Sequence, residues 1–117
     1  MIEIALTEYL NGRVLYDDTA LPVYSEEPEK PPKRYIRIEN QGTSEADNFL
    51  YSSLVAFQVY GNTLLECVLI AETLKEALDA MESEGEIASS RLNTKYPFND
   101  QSTHRYRYQV VYDIYHY

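Results

Sequence analysis

The side chains best suited to catalysis or metal binding are few in this sequence and lie far apart. The chain contains two histidines, His104 and His116, and one cysteine, Cys67. None of them stands at the short spacing from another histidine or cysteine that zinc sites use. Cys67 falls on the apolar side of a predicted helix, where a thiol acts as a small hydrophobic side chain rather than as a nucleophile. We therefore predict no metal site, no cofactor and no catalytic residue among them.

Motifs for phosphate binding and nucleophilic catalysis are also missing from the sequence. It contains no G-x-G-x-x-G, no Walker loop and no G-x-S-x-G, and it has only four glycines. The adjacent carboxylates Asp17-Asp18 and Glu26-Glu27 fall in polar segments. Such segments lack the apolar pocket that would separate two carboxyl pKa values for acid–base catalysis. The sequence therefore favours a protein that acts by contact and is not an enzyme.

Length and charge narrow the function classes further. The 117 residues, 44% of them hydrophobic, are predicted to form a single domain over residues 1–117. The net charge of −9 argues against sequence-independent binding of nucleic acid, which needs a surplus of lysine and arginine. It also argues against a basic helix that lies on a membrane surface. A single cysteine excludes an intrachain disulfide and points to a reducing compartment.

The charge is unevenly distributed along the chain. Residues 1–31 carry seven acids and two bases, and residues 64–86 carry seven acids and one base, whereas residues 87–117 have a net charge of +2. Complementary segments of this kind suit a protein that meets copies of itself or a charged partner. An ordinary solvated acidic surface is the alternative explanation.

Hydrophobic periodicity predicts the elements that position any functional surface. Helical spacing predicts a short helix over residues 2–10, and four prolines predict a surface arm over residues 22–33. Polar residues predict long loops over residues 40–49 and 94–104. Strands are predicted over residues 35–39, 51–60, 87–93 and 105–117. We expect an α+β domain in which a mostly antiparallel sheet of four to five strands packs against one long helix, with the short N-terminal helix beside it.

The long helix carries two leucines on the side away from its apolar stripe. Thr63 and Glu66 form a capping box at its start. Leu65 and Leu69 then lie one turn apart, opposite the stripe, where a helix that faces water needs no leucine. Either the N-terminal segment of the same chain or a neighbouring subunit is expected to cover them. We predict a subunit interface formed by Leu65 and Leu69 together with two tyrosines at the end of the closing strand, Tyr115 and Tyr117.

The order of these elements resembles that of a known family. The features that carry the resemblance are Tyr35-Ile36-Arg37-Ile38, the strand Val55–Gly61, a helix with Leu64, Ala71, Leu74 and Leu78, and Asp100, Thr103 and Tyr106 before the closing strand. Together they look like the small tail-terminator (tail-completion, head–tail joining) proteins of long-tailed bacteriophages and prophages. Family members often have a proline directly before the aromatic residue of the first sheet strand. Here Lys33 and Arg34 separate Pro32 from Tyr35.

The resemblance implies a structural virion protein without catalytic residues. Its copies would form a ring, usually a hexamer, that caps the tail tube protein and joins it to the head connector or stopper protein. DNA would pass through the ring without specific binding. The protein would be made in the bacterial cytoplasm and would lie at the head–tail junction of the virion. We expect at least one of the loops 40–49 and 94–104 to contact the tail tube or the connector.

A ring in the path of DNA is expected to have an acidic or neutral lumen, because basic side chains would hold the phosphates. Glu72, Glu76 and Asp79 project from one face of the long helix and are predicted to face that lumen. Two other classes remain open at this point. An acidic inhibitor that mimics DNA would be a monomer that competes with DNA for a nuclease. A small enzyme or ligand-binding domain is the third possibility.

Overall fold

A helical layer and a sheet layer make up the computed structural model, which describes residues 2–82 and 85–117. Within these residues the chain forms two helices and seven strands. Their order along the chain is α1 (Ile2–Leu10), β1 (Leu15–Tyr16), β2 (Thr19–Ala20), β3 (Val23–Tyr24), β4 (Tyr35–Asp47), β5 (Leu50–Gly61), α2 (Leu64–Asp79), β6 (Ile87–Pro97) and β7 (Tyr106–His116).

The main sheet has five strands in the order β3-β4-β5-β7-β6. β3 runs parallel to β4, and the other neighbouring strands are antiparallel. β1 and β2 form a separate two-stranded antiparallel ribbon. The α+β class and the short N-terminal helix are therefore confirmed, and the sheet is mixed. The helix expected to be long has 16 residues, which is an ordinary helix length.

Both helices pack on one face of the sheet because each element turns its apolar side chains to the layer between them. Alternate residues of β4, β5 and β7 point into this layer, as the period of two predicts. The helices contribute side chains at helical spacing. The fully buried members are Leu6, Leu10, Ile36, Val55, Phe57, Val59, Cys67, Ile70, Leu74, Leu78, Tyr112 and Ile114.

The opposite face of the sheet is polar at its centre. Arg37 donates a hydrogen bond to Gln58 (3.3 Å), Gln58 donates to Gln109 (3.3 Å), and Gln109 donates to the Tyr96 hydroxyl (2.6 Å). These four side chains form one row across β4, β5, β7 and β6. Because buried amides must find partners, the row ties the four strands together.

The start of α2 has the local structure that its sequence predicts. The Thr63 hydroxyl accepts a hydrogen bond from the Glu66 amide at 3.1 Å, which confirms the capping box on the threonine side. The turn before it brings Gly61 against the helix. A Cβ at position 61 would lie 3.1 Å from the Cys67 sulfur, closer than most Cβ contacts, so glycine eases this close approach.

The three connecting segments predicted from polar residues or prolines differ from expectation in part. Residues 40–47 continue β4, so the connection to β5 shrinks to a turn at Asn48 and Phe49. Backbone pairing with β5 holds these polar residues in register despite irregularities at Asn40/Gly42 and Glu45/Asp47. The 94–104 loop likewise loses residues 94–97 to β6. The arm over residues 22–33 contains the two-residue strand β3, and an edge position of this kind tolerates flanking prolines.

Candidate functional site

Exposed apolar side chains define a surface on the outside of α2. Leu65 is 68% exposed and Leu69 is 49% exposed, and the half-exposed Leu15 of β1 lies beside Leu69. The Thr73 hydroxyl donates to the Leu15 carbonyl at 3.1 Å and holds β1 next to the helix. The N-terminal segment therefore borders Leu69 without covering it. We call Leu15, Leu65 and Leu69 the α2 outer surface.

The three acids expected to share one helix face have different surroundings. Glu72 lies 3.5 Å from the Lys95 ammonium of β6. Glu76 is exposed and borders a groove between α1 and α2 that Tyr9, Leu15 and Ala77 also line. Asp79 accepts hydrogen bonds from Lys75 (2.6 Å) and from the Tyr112 hydroxyl (2.7 Å). Glu72 and Asp79 are therefore partly neutralised by bases on the sheet and on their own helix.

The Asp79–Tyr112 contact fixes the end of α2 to the centre of the sheet. Partial burial alone raises the pKa of Asp79, but the hydrogen bonds from Lys75 and Tyr112 outweigh it and the pKa lies below its ordinary value. Burial and the same hydrogen bond raise the pKa of Tyr112. A carboxylate whose folded pKa is lowered stabilises the fold above its unfolded pKa, and that stabilisation is lost as the pH falls through the folded pKa. Asp79 thus has a structural role.

The predicted interface tyrosines lie at one end of the sheet, where β5 begins and β7 ends. Tyr115 is 36% exposed and Tyr117 is 66% exposed. Tyr51 pairs with His116 between them, and their rings stack at a centroid distance of 6.0 Å. The Tyr117 amide donates to the Glu86 carbonyl at 3.0 Å. With the neighbouring Phe49, we call Phe49, Tyr51, Tyr115 and Tyr117 the tip surface.

Phe49 is a functional candidate that sequence reasoning missed. It is 84% exposed at the turn between β4 and β5, and its φ of 64° lies in the left-handed region. For a bulky residue this backbone conformation costs about 1–2 kcal/mol relative to the right-handed region. Neither burial nor an easy backbone conformation favours a phenylalanine here, so Phe49 is a candidate for contact with another molecule. The only signal in the sequence is an aromatic residue after Asp47-Asn48.

The opposite end of the sheet joins the arm to the β6–β7 loop. Arg105 donates to the carbonyls of Pro32 (2.8 Å) and Lys33 (2.9 Å), and Arg34 pairs with Glu66 of α2 at 2.6 Å. Tyr35 stacks on Tyr60 at 4.4 Å. The two residues that depart from the family pattern, Lys33 and Arg34, therefore anchor the arm. We call Lys33, Arg34, Phe98, Arg105 and Tyr106 the loop-end surface.

Two side chains with nucleophilic chemistry are buried. Burial raises the pKa of Cys67 to about 11, so its thiol is protonated at neutral pH, and its burial confirms the predicted core position. Ser53 and His116 come within 2.8 Å of each other because β5 pairs with β7. The Ser53 hydroxyl is also 2.7 Å from that of Thr43. The pair therefore makes a buried polar bridge with no route for a substrate to the serine.

His104, the other histidine, has a φ of 56° and lies exposed in the loop between β6 and β7, far from His116. Across residues 2–82 and 85–117 no three histidine, cysteine or acidic side chains are grouped as metal ligands. The same residues contain no helix with the length and apolar character needed to cross a membrane.

The fold is similar to that of a chain in the solved structure of the virion of a native gene transfer agent (GTA) particle. The two chains are 14% identical over a match that covers 80% of this chain and 77% of that one, with a TM-score of 0.63. What they share is the fold. No protein-family model and no curated protein matches the sequence.

Proposed function

We propose that this chain is a virion structural protein that forms a ring, the tail terminator that caps the tail tube and joins it to the head. The fold shared with a chain of a gene transfer agent virion supports a structural role in a particle. The order of elements, which resembles the tail-terminator family, supports the position at the head–tail junction. Cys67 and Ser53, the two side chains with nucleophilic chemistry discussed above, are buried, and this favours a role in assembly over catalysis.

The observation that carries the ring is the position of exposed apolar residues at opposite ends of the sheet. Leu65 lies at one end of the sheet, four residues after β5 ends at Gly61. Tyr115 and Tyr117 lie at the other end, where β5 begins. In a ring, the surface at one end would face the surface at the other end on the next copy. Such heterologous contacts close into a ring when the rotation between copies allows it. A twofold dimer would instead need a single self-complementary patch.

The partners follow from that position in the particle. The ring would contact the tail tube protein on one side and the head connector or stopper protein on the other. Residues 101–104 of the β6–β7 loop are exposed and available for at least one of these contacts. DNA would pass through the centre without specific binding, in agreement with a net charge of −9. The chain would be made in the bacterial cytoplasm and act in the virion.

The experiment that tests the ring is negative-stain electron microscopy of the purified protein, together with its mass in solution. We expect closed rings, most simply hexamers, either in free solution or when the protein is added to tail tubes. A strict monomer that competes with DNA for a nuclease would contradict the ring and favour the DNA-mimic alternative. A monomer that also ignores tail tubes would contradict any role at the tail.

A second experiment tests whether α2 faces the lumen. Glu72→Lys with Glu76→Lys should leave the ring assembled and make it retain linear duplex DNA, because lysines at the phosphates release counterions and add affinity. Covalently closed circular DNA cannot thread a ring and should be retained much less. Glu26→Lys with Glu29→Lys is the matched control, since both acids are exposed in the arm. Equal retention of linear and circular DNA would assign α2 to the outer wall.

A further inference from the structure

We propose that the tip of the β4–β5 hairpin, residues 45–50, docks on the loop-end surface of the next copy in the ring. The inference rests on the proposed ring and names the surfaces that meet. Its first support is Phe49, the most exposed large hydrophobic side chain of the described residues. A left-handed phenylalanine at a two-residue turn is selected for its side chain, because glycine or asparagine would fit the turn more easily.

The charge of the tip selects the surface that receives it. Glu45 and Asp47 precede Phe49 on β4, and both are exposed without a basic partner within 4 Å in the part of the chain that the structure describes. The tip therefore presents an aromatic side chain next to two carboxylates that no base neutralises. A complementary surface has to combine apolar area with positive charge.

Two apolar grooves on the helical side meet this requirement less well. The groove below Met81 and Ile87 is bordered by Glu8 and Glu86, so the tip would meet two more carboxylates there. The groove between α1 and α2 is bordered by Glu76 and by Arg13, whose guanidinium lies 4.2 Å from the centre of the Tyr9 ring. One acid and one base offer no net positive charge to the tip, which makes this groove the weaker receiver.

The loop-end surface meets the requirement. Phe98 and Tyr106 are both nearly half exposed there, and the Arg107 guanidinium lies 4.3 Å from the centre of the Phe98 ring. Lys33 is exposed next to Arg105, which donates to its carbonyl. Arg107 faces Asp100 at 3.9 Å and Arg34 is paired with Glu66, so the positive charge that complements the two acids of the tip comes from Lys33 and Arg105, which have no acidic partner within 4 Å among the described residues. The tip and the loop end lie at opposite ends of a molecule whose longest dimension is 43 Å, as a head-to-tail contact needs.

Pairing of open sheet edges is the competing way to join copies, and the β6 edge is protected against it. β6 has register irregularities at Ile87/Ser89 and Leu92/Thr94 and ends at Pro97. Glu82 also accepts a hydrogen bond from the Ser90 amide at 3.4 Å. Bulges, proline and a capping carboxylate are the features by which natural edge strands avoid pairing. Contact through the hairpin tip needs no such pairing.

Cross-linking tests the contact directly, because the native thiol of Cys67 is buried and leaves engineered cysteines as the reactive ones. Phe49→Cys protein mixed with Lys33→Cys protein and treated with a short bis-maleimide should give a covalent dimer. Phe49→Cys mixed with Ile4→Cys is the matched control, since Ile4 is exposed on α1 and outside both surfaces. A 49–33 product no more abundant than the 49–4 product would overturn the inference.

Charge exchange gives a second, independent readout. Asp47→Lys and Lys33→Asp should each weaken assembly at least tenfold, and the double variant should regain most of the loss. Rings that form with wild-type affinity in Phe49→Ser and in both single variants would overturn the docking and leave the proposed ring standing. Open chains that cross-link between positions 49 and 33 without closing would instead contradict the ring and support the docking.

Discussion

Replacing both Leu65 and Leu69 by glutamate is expected to leave the monomer folded and to weaken self-association at least a hundredfold. Both side chains are exposed in the isolated chain, so the free energy of unfolding should change little. In a ring their exposed parts, 68% of Leu65 and 49% of Leu69, would be buried against a neighbour, which contributes about 2–3.5 kcal/mol. The added carboxylates would also have to be desolvated there. Sedimentation velocity over a concentration series measures the effect.

Ile4→Glu is the control for this change. Ile4 is an exposed apolar residue on the other helix, so its substitution alters charge and hydrophobicity to the same extent per site. Association should survive it. If the Leu65 and Leu69 variant assembles like the wild type, the α2 outer surface does not lie between subunits, and the predicted interface is reduced to Tyr115 and Tyr117.

Phe57→Ala is expected to destabilise the fold by about 3–5 kcal/mol, which approaches the whole stability of a marginal domain. Phe57 is fully buried at the centre of β5, where its ring meets that of Tyr112 edge to face at 6.2 Å. Removing it leaves a cavity between the sheet and α2 that the surrounding side chains fill only in part. Chemical denaturation followed by circular dichroism measures the loss.

Phe49→Ala offers a matched comparison, because it makes the same substitution at a residue that is almost fully exposed. We expect it to change stability by less than about 0.5 kcal/mol. Equal losses at the two positions would mean that Phe49 packs into the fold in solution and is not presented to a partner.

The layers of the fold were predictable because buried positions recur in the sequence with the period of a helix or a strand. Ile36 and Ile38 are buried and alternate with the partly exposed, charged Arg37 and Glu39, and the Thr63 cap begins the helix where the pattern indicates. Residues 43–47 show no such periodicity, since they are mostly polar and are exposed on both faces of the strand. Backbone pairing with β5 holds them as a strand. Polar composition predicted a loop there for that reason.

The candidate surfaces were predictable only in part, for a different reason. Leu65 and Leu69 violate the pattern of their own helix, so the sequence marks them without tertiary information. Phe49 needs the turn conformation and the Ser53–His116 contact needs strand register, and both depend on which segments pair. Asp79 was predicted to project from one face of α2 toward a lumen. Its hydrogen bond from the Tyr112 hydroxyl could not be predicted, because Tyr112 lies 33 positions further along the chain.

The central position of β7 determines when this protein can finish folding during synthesis. β5 is completed at Gly61, yet one of its two partners, β7, begins only at Tyr106. Until the ribosome has released that segment, one whole side of β5 has no strand beside it and the apolar residues Val55, Phe57 and Val59 are incompletely covered. While the ribosome synthesises about 45 further residues, the nascent chain therefore exposes apolar surface that a chaperone would recognise. A chain terminated before β7 would be a substrate for proteolysis and would not form a smaller folded domain.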